Sequence, residues 1–219
     1  NNGTISGALW QRYLNEDNNS LVLLMPFDED NSSTAIDKGD YKNNGVLSGV
    51  KLNTSCISGT CYSFRNNVGI NISVGSGSTL DDALVKNGSI EMWVRYSSTT
   101  ENLYTLRRDT SWGTILFNLI AIGRVTWYER TGSDATRLDY TATALNDNIW
   151  HHLAFVRNGT SKIIYVDGKI GAQNAEGSPP ISGSQILFIG DNDLAVTGFI
   201  GDIDNVRIYK KALSTSEIQ

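Results

Sequence analysis

An all-β domain built as a two-sheet antiparallel sandwich is the fold class this sequence predicts, on three observations. The stretch Trp150 to Gly168 holds two runs rich in β-branched and aromatic residues, 150 to 157 and 162 to 166. They flank Asn158-Gly159, a pair that supplies the positive φ angles of a tight hairpin. Asp and Asn turns recur about every 8 to 12 residues, the rhythm of short strands in a sandwich. Finally, 21 Gly and 3 Pro in 219 residues, with no sustained 3.6-residue apolar repeat, leave helix a minor role.

Taken in order, residues 1 to 20 read as an N-terminal tail or linker, and 21 to 219 as one domain. Within the tail, Leu9, Trp10, Tyr13 and Leu14 make a short apolar stripe of helix, either docked on the domain or the stub of a longer assembly element. Leu21 to Phe27 is the first strand, continuously apolar and ended by Pro26, which lacks a donor. An acidic loop from Asp28 to Asn44 follows, then strands at 46 to 52, 62 to 64 and 69 to 74. Residues 88 to 96 alternate: Ile90, Met92 and Val94 point one way, Glu91, Trp93 and Arg95 the other. Further strands are expected at 103 to 107, 114 to 119, 124 to 129, 137 to 140, 185 to 189 and 198 to 209. The run at 150 to 157 is apolar on both faces, as expected of a central strand covered on each side. Ser214 and Glu217 have the spacing of a capping box and predict a terminal turn of helix.

The formal charge of -5 and the scattered basic residues speak against nucleic acid, whose phosphates need clustered Lys and Arg. No apolar run reaches the roughly 18 residues of a membrane span. The chain also opens without Met or an apolar leader, so any anchor or targeting segment is expected to be absent or removed. Cys56 and Cys61 are the only cysteines, close enough for a disulfide across a local turn, which implies an oxidising compartment. Seven glycosylation acceptors are expected, at Asn2, Asn19, Asn31, Asn53, Asn71, Asn87 and Asn158; an Asn-rich chain of this composition would give about four by chance. An extracellular or cell-surface location follows as the expectation.

Seven short pieces, in order, resemble one known pattern: Leu-Leu-Met-Pro-Phe-Asp-Glu (23 to 29), Asn-Asn-Gly (43 to 45), Cys-Tyr-Ser-Phe (61 to 64), Ser-Ile-Glu-Met-Trp-Val (89 to 94), Trp-His-His-Leu-Ala-Phe (150 to 155), Tyr-Val-Asp-Gly (165 to 168) and Phe-Ile-Gly-Asp-Ile-Asp-Asn-Val-Arg-Ile-Tyr (199 to 209) with Ala-Leu-Ser after it. Together they are similar to the laminin G-like members of the concanavalin A-like jelly rolls. The resemblance implies a two-sheet jelly roll that binds carbohydrate or protein outside cells, often with one structural calcium. Where such domains usually continue Cys-Tyr-Ser-Phe with an Asp-containing turn, Arg65-Asn-Asn stands here.

On strict alternation Asp202 and Asp204 share a face with Ile200, Val206 and Ile208, and carboxylates on a core-facing row need a partner or a metal. Calcium takes six to eight oxygens. Asp28, Asn43, Asn44, Asp202 and Asp204 are the candidate ligands if the first and last strands are neighbours, with a bulge at Asp202 able to turn that residue outward. Asp30 and Asp37 are weaker candidates, since loop carboxylates are usually solvated. For a sugar surface, Glu91, Trp93, Arg95, Trp112, Trp127 and Tyr128 combine rings that stack on pyranoses with groups that bond hydroxyls. No Glu-x-Asp-x-x-Glu strand of the jelly-roll glycosidases occurs, and neither His151 nor His152 has a Ser or Cys motif beside it. The expected function is a non-catalytic carbohydrate or surface-ligand binding module with a structural calcium. The alternatives are a decorating domain of a surface appendage such as a pilus, assembled through residues 1 to 20, or a glycoside hydrolase or lyase.

Overall fold

The computed structural model describes residues 20–28, 33–65, 68–75, 77–97, 103–110, 113–120, 123–131, 133–141, 145–174, 183–190 and 198–218. Its strands in chain order are β1 (Leu21–Met25), β2 (Thr34–Ala35), β3 (Gly45–Ser48), β4 (Lys51–Asn53), β5 (Cys61–Phe64), β6 (Gly69–Val74), β7 (Gly88–Arg95), β8 (Leu103–Thr110), β9 (Gly113–Ile120), β10 (Arg124–Thr131), β11 (Asp134–Thr141), β12 (His151–Asn158), β13 (Ser161–Val166), β14 (Lys169–Asn174), β15 (Gln185–Ile189) and β16 (Gly201–Tyr209). Helix α1 (Thr79–Val85) precedes β7 and α2 (Thr215–Ile218) ends the chain.

The strands form two eight-stranded antiparallel sheets. The first runs β14-β13-β12-β7-β16-β5-β4, and β1 pairs with the later half of β16. The second runs β11-β10-β9-β8-β15-β6-β3-β2. Side chains from both inner faces, among them Met25, Met92, Phe117, Trp127, Phe155, Leu187 and Ile208, make one continuous core. The predicted hairpin is β12 and β13, with β12 central between β7 and β13. Its outer face is covered as well. Ala154, Val156 and Tyr165 meet Leu213 and Ile218 of the C-terminal segment in a second apolar cluster. The capping box forms there, Glu217 accepting from the Ser214 N–H at 2.8 Å.

Three local features depart from the sequence reading. Residues 46 to 52 are two strands in different sheets, because the chain turns at Gly49, whose φ of 71° suits glycine. Helix α1, capped by Ser78, stands where no helix was expected. In β16 the register shifts between Asp204 and Arg207, where Asn205 takes a φ of 51°. This bulge switches the alternation: Ile203 faces the core before it, Val206 and Ile208 after it. Asp202 and Asp204 therefore lie on the outer face of the first sheet, opposite Arg95 and Trp93, and not on the core-facing row.

The turn from α1 into β7 leaves no room for a side chain at Gly88. A Cβ there would lie 2.0 Å from the Ala83 carbonyl oxygen and 2.8 Å from that of Tyr209, both backbone atoms that cannot rotate away. Gly88→Ala is expected to destabilise by about 1–3 kcal/mol or more, read as a lower urea midpoint with unchanged slope.

Candidate functional site

Two sites lie on the outer face of the first sheet, both built on β16. The first is where the first and last strands meet. β1 runs antiparallel to β16, with Met25 opposite Val206, so the chain leaving β1 brings Asp28 towards Asp204. A disulfide joins Cys56 to Cys61, and the loop it closes covers both carboxylates. The N–H groups of Ile57 and Ser58 donate to Asp204 Oδ2 at 3.0 and 3.3 Å, and the Thr60 N–H donates to Asp28 Oδ1 at 2.8 Å. Asn205 Nδ2 donates to Asp204 Oδ1 at 2.9 Å. Burial is the main cause that pushes the Asp204 carboxyl up to about 7; the charge of Asp28 adds to it, and the peptide N–H groups work against it.

Asn43 and Asn44 are not part of this corner. They serve Asp37, which is fully buried rather than solvated. Its Oδ1 accepts from Leu24 and Gly39 N–H at 2.9 and 2.8 Å, and its Oδ2 accepts from Asn43 N–H at 2.7 Å. Asn44 Oδ1 accepts from Asp37 N–H, and the Asn43 side chain donates to the Val22 carbonyl. Asp37 thus ties the loop after β1 to the strand, with peptide N–H groups satisfying its charge. Asp30 lies outside the described residues.

A structural calcium is what the resemblance implies for this region, and Asp28 and Asp204 are suited to it. Among the described residues no Lys or Arg pairs with either carboxylate. The Phe27 carbonyl and Thr60 hydroxyl, bonded to each other, sit beside them. These are hard oxygen donors of the kind calcium takes. The two sulfurs near Asp204 are joined to each other and are not free thiolates.

The second site is a polar row across β4, β5, β16 and β7. Asp202 is its centre. Its Oδ2 accepts from both Arg95 Nε and Nη2, at 3.0 and 2.7 Å, and its Oδ1 accepts from Asn53 Nδ2 at 3.1 Å and from the Ser63 hydroxyl. So held, the Arg95 guanidinium lies 4.8 Å from the centre of the Trp150 ring. Trp93 and His152 pack at 5.2 Å in the next row, and His152 Nε2 is 3.7 Å from Glu91 Oε1. Beside Asp202 is an open cleft of about 510 Å3, lined by Ser63, Phe64, Arg65, Ile200, Gly201 and Asp202. Glu91, Trp93 and Arg95 are thus brought together as the alternation predicts, with Asp202 as an unforeseen neighbour. Trp150, one residue before β12, carries no sequence signal of this stack.

Trp127 does not join them. β10 belongs to the second sheet and points this indole inward, where it is 3% exposed and packs on Phe117 and Phe155. It is a core residue, not a sugar platform. Tyr128 is half-buried on the same strand of that other sheet, and Trp112 lies outside the described residues. Of the expected glycosylation sites, Asn87 and Asn158 are exposed, whereas the Asn53 amide is spent on Ser63 and Asp202. Asn71 is half-buried within β6, and Asn2, Asn19 and Asn31 lie outside the described residues. The tripeptide at 18 to 20 has Asn18, not Asn19, as its acceptor.

Residues 67–219 match the Laminin_G_3 family of the concanavalin A-like lectin/glucanases superfamily. The chain belongs to this family. Among solved structures, this laminin G-like domain is similar to domain 4 of AbnA, a GH43 extracellular arabinanase from Geobacillus stearothermophilus, in complex with arabinotriose. The identity is 20% and the TM-score 0.68, over 91% of this chain and 96% of that one. It is also similar to the binding domain of botulinum neurotoxin DC in complex with SialylT, at 14% identity and TM-score 0.72, over 92% of this chain and 50% of that one. The same binding domain in complex with rat synaptotagmin II gives 13% identity and TM-score 0.74, over 93% and 51%. The laminin G-like domain thus spans about half the length of the neurotoxin chains. At these identities the likeness is one of fold, shared with binding domains. Comparison with curated proteins finds no match. Among the described residues, no helix of the domain is long and apolar enough to cross a membrane.

Proposed function

We propose that this laminin G-like domain is a non-catalytic carbohydrate-binding module that works outside cells. The observation behind the reading is the Asp202–Arg95–Trp150 arrangement beside the cleft. A guanidinium held over an indole, next to hydroxyl and carboxylate groups and an open cleft, offers a sugar both a stacking edge and donors for its hydroxyls. Asp202 is the positioning residue, because its Oδ2 takes two N–H groups from one edge of the Arg95 guanidinium and so fixes that edge. The disulfide and the exposed acceptors Asn87 and Asn158 favour an exported protein. A calcium ion held by Asp28 and Asp204 completes the reading, fixing the Cys56–Cys61 loop beside the sugar surface.

A glycan array probed with the purified domain, with and without calcium, tests this reading, followed by reducing-end assays on whatever is bound. Binding without hydrolysis is expected. An array with no bound glycan, or release of reducing ends, would remove it.

A further inference from the structure

We propose that the Lys162 amine and the Glu129 carboxyl condense after folding into an intramolecular amide that staples one sheet to the other. Glu129 lies in β10 of the second sheet and Lys162 in β13 of the first, and both point into the core. They are 1% and 0% exposed at their side chains, with Nζ 3.6 Å from Oε2. The two carboxyl oxygens are treated differently. Oε1 accepts from Trp127 Nε1 at 2.7 Å and from Arg157 Nη2, while Oε2 accepts no hydrogen bond among the described residues. Nζ is steadied by a 2.8 Å bond to the Thr136 hydroxyl. Trp127, itself packed on Phe117 and Phe155, walls the site.

Two buried cations face one carboxylate, so a simple ion pair leaves charge in a place that disfavours it. Burial, with the charge of Arg157 adding to it, lowers the Lys162 amine to about 8, which favours passing a proton to Oε2. The freed nitrogen lone pair then attacks Cδ. Negative charge gathers on Oε1, where the Trp127 and Arg157 N–H groups already stand as an oxyanion hole. A second proton moves from nitrogen to Oε2, the Cδ–Oε2 bond breaks, and that oxygen leaves as water. An ammonium and a carboxylate become an amide and one water, with no change of oxidation state. Fixed neighbours react as though at effective concentrations of about 10⁵ M or more, and a site closed to water protects the product.

The test is the intact mass of the full, folded and then denatured chain, followed by peptide mapping. The expected mass is that of the disulfide-bonded sequence less one water, with a branched peptide joining the segments that contain Glu129 and Lys162. Lys162→Arg keeps a cation in place but cannot form this amide, and should return the full mass. A wild-type chain at full mass, or a missing water that maps elsewhere or persists in Lys162→Arg, would overturn the proposal.

Discussion

Glu129→Ala is expected to lower the stability of the domain by about 3–5 kcal/mol, because without the Glu129 side chain Arg157 loses its acceptor and Lys162 is left as an unpaired amine in the core. At this chain length that is a fall of roughly 10 °C in the unfolding midpoint. Arg157 and Lys162 are 2% and 0% exposed, and Glu129 is the acidic residue that both approach. Without it the Trp127 indole N–H also loses its acceptor deep in the core. Burial already lowers the Arg157 guanidinium to about 10, a sign of how poorly this place accommodates charge. Arg130, the exposed next residue on the same strand, is the control: Arg130→Ala should stay within about 0.5 kcal/mol. Thermal unfolding of the three proteins checks this, and equal midpoints for Glu129→Ala and wild type would show that the cluster contributes nothing.

Stability in metal-free buffer is expected to fall as the pH rises from about 4 to about 7. Burial raises the Asp204 carboxyl from 3.8 to about 7, so across that window the folded chain keeps a proton that the unfolded chain has released. Each step up in pH then favours unfolding, and the loss is complete once the pH passes the folded value, on the order of a few kcal/mol in all. Calcium acts in the opposite sense, since it favours the ionised pair. Its stabilising effect should be small at pH 5 and several degrees at pH 8. Unfolding midpoints at both pH values, with chelator and with calcium, check this; Asp204→Asn should flatten the pH slope and remove the calcium shift. A midpoint indifferent to calcium at pH 8 retires the metal.

Much of the architecture was legible because the signals were local. Asn158-Gly159 fixes a hairpin, and the alternation from Ile90 to Arg95 fixes which face of β7 meets the core between the sheets. The approach of Asp28 to Asp204 was also foreseeable from the pairing of first and last strands. What the sequence hid depends on tertiary context. A bulge at Asn205 turns the two carboxylates of β16 outward, and strict alternation cannot announce it. Asn43 and Asn44 have the chemistry of ion ligands, and nothing local in the sequence marks Asp37, the partner they serve, as buried. The buried triad did leave a trace. Lys162 is in phase with Ile164 and Val166, and Glu129 with Val125 and Trp127, so each sits on the apolar row of its strand.

Recognition of sugar by the outer face of the first sheet is the central claim, and affinity electrophoresis through gels containing soluble polysaccharides tests it most directly. Wild type should be retarded by at least one polysaccharide. Arg95→Ala and Trp150→Ala should each weaken that retardation about tenfold or more, equivalent to roughly 1.4 kcal/mol, at a temperature where circular dichroism shows both variants fully folded. Free migration of wild type through every gel, or retardation of both variants equal to wild type, would contradict the assignment of this surface.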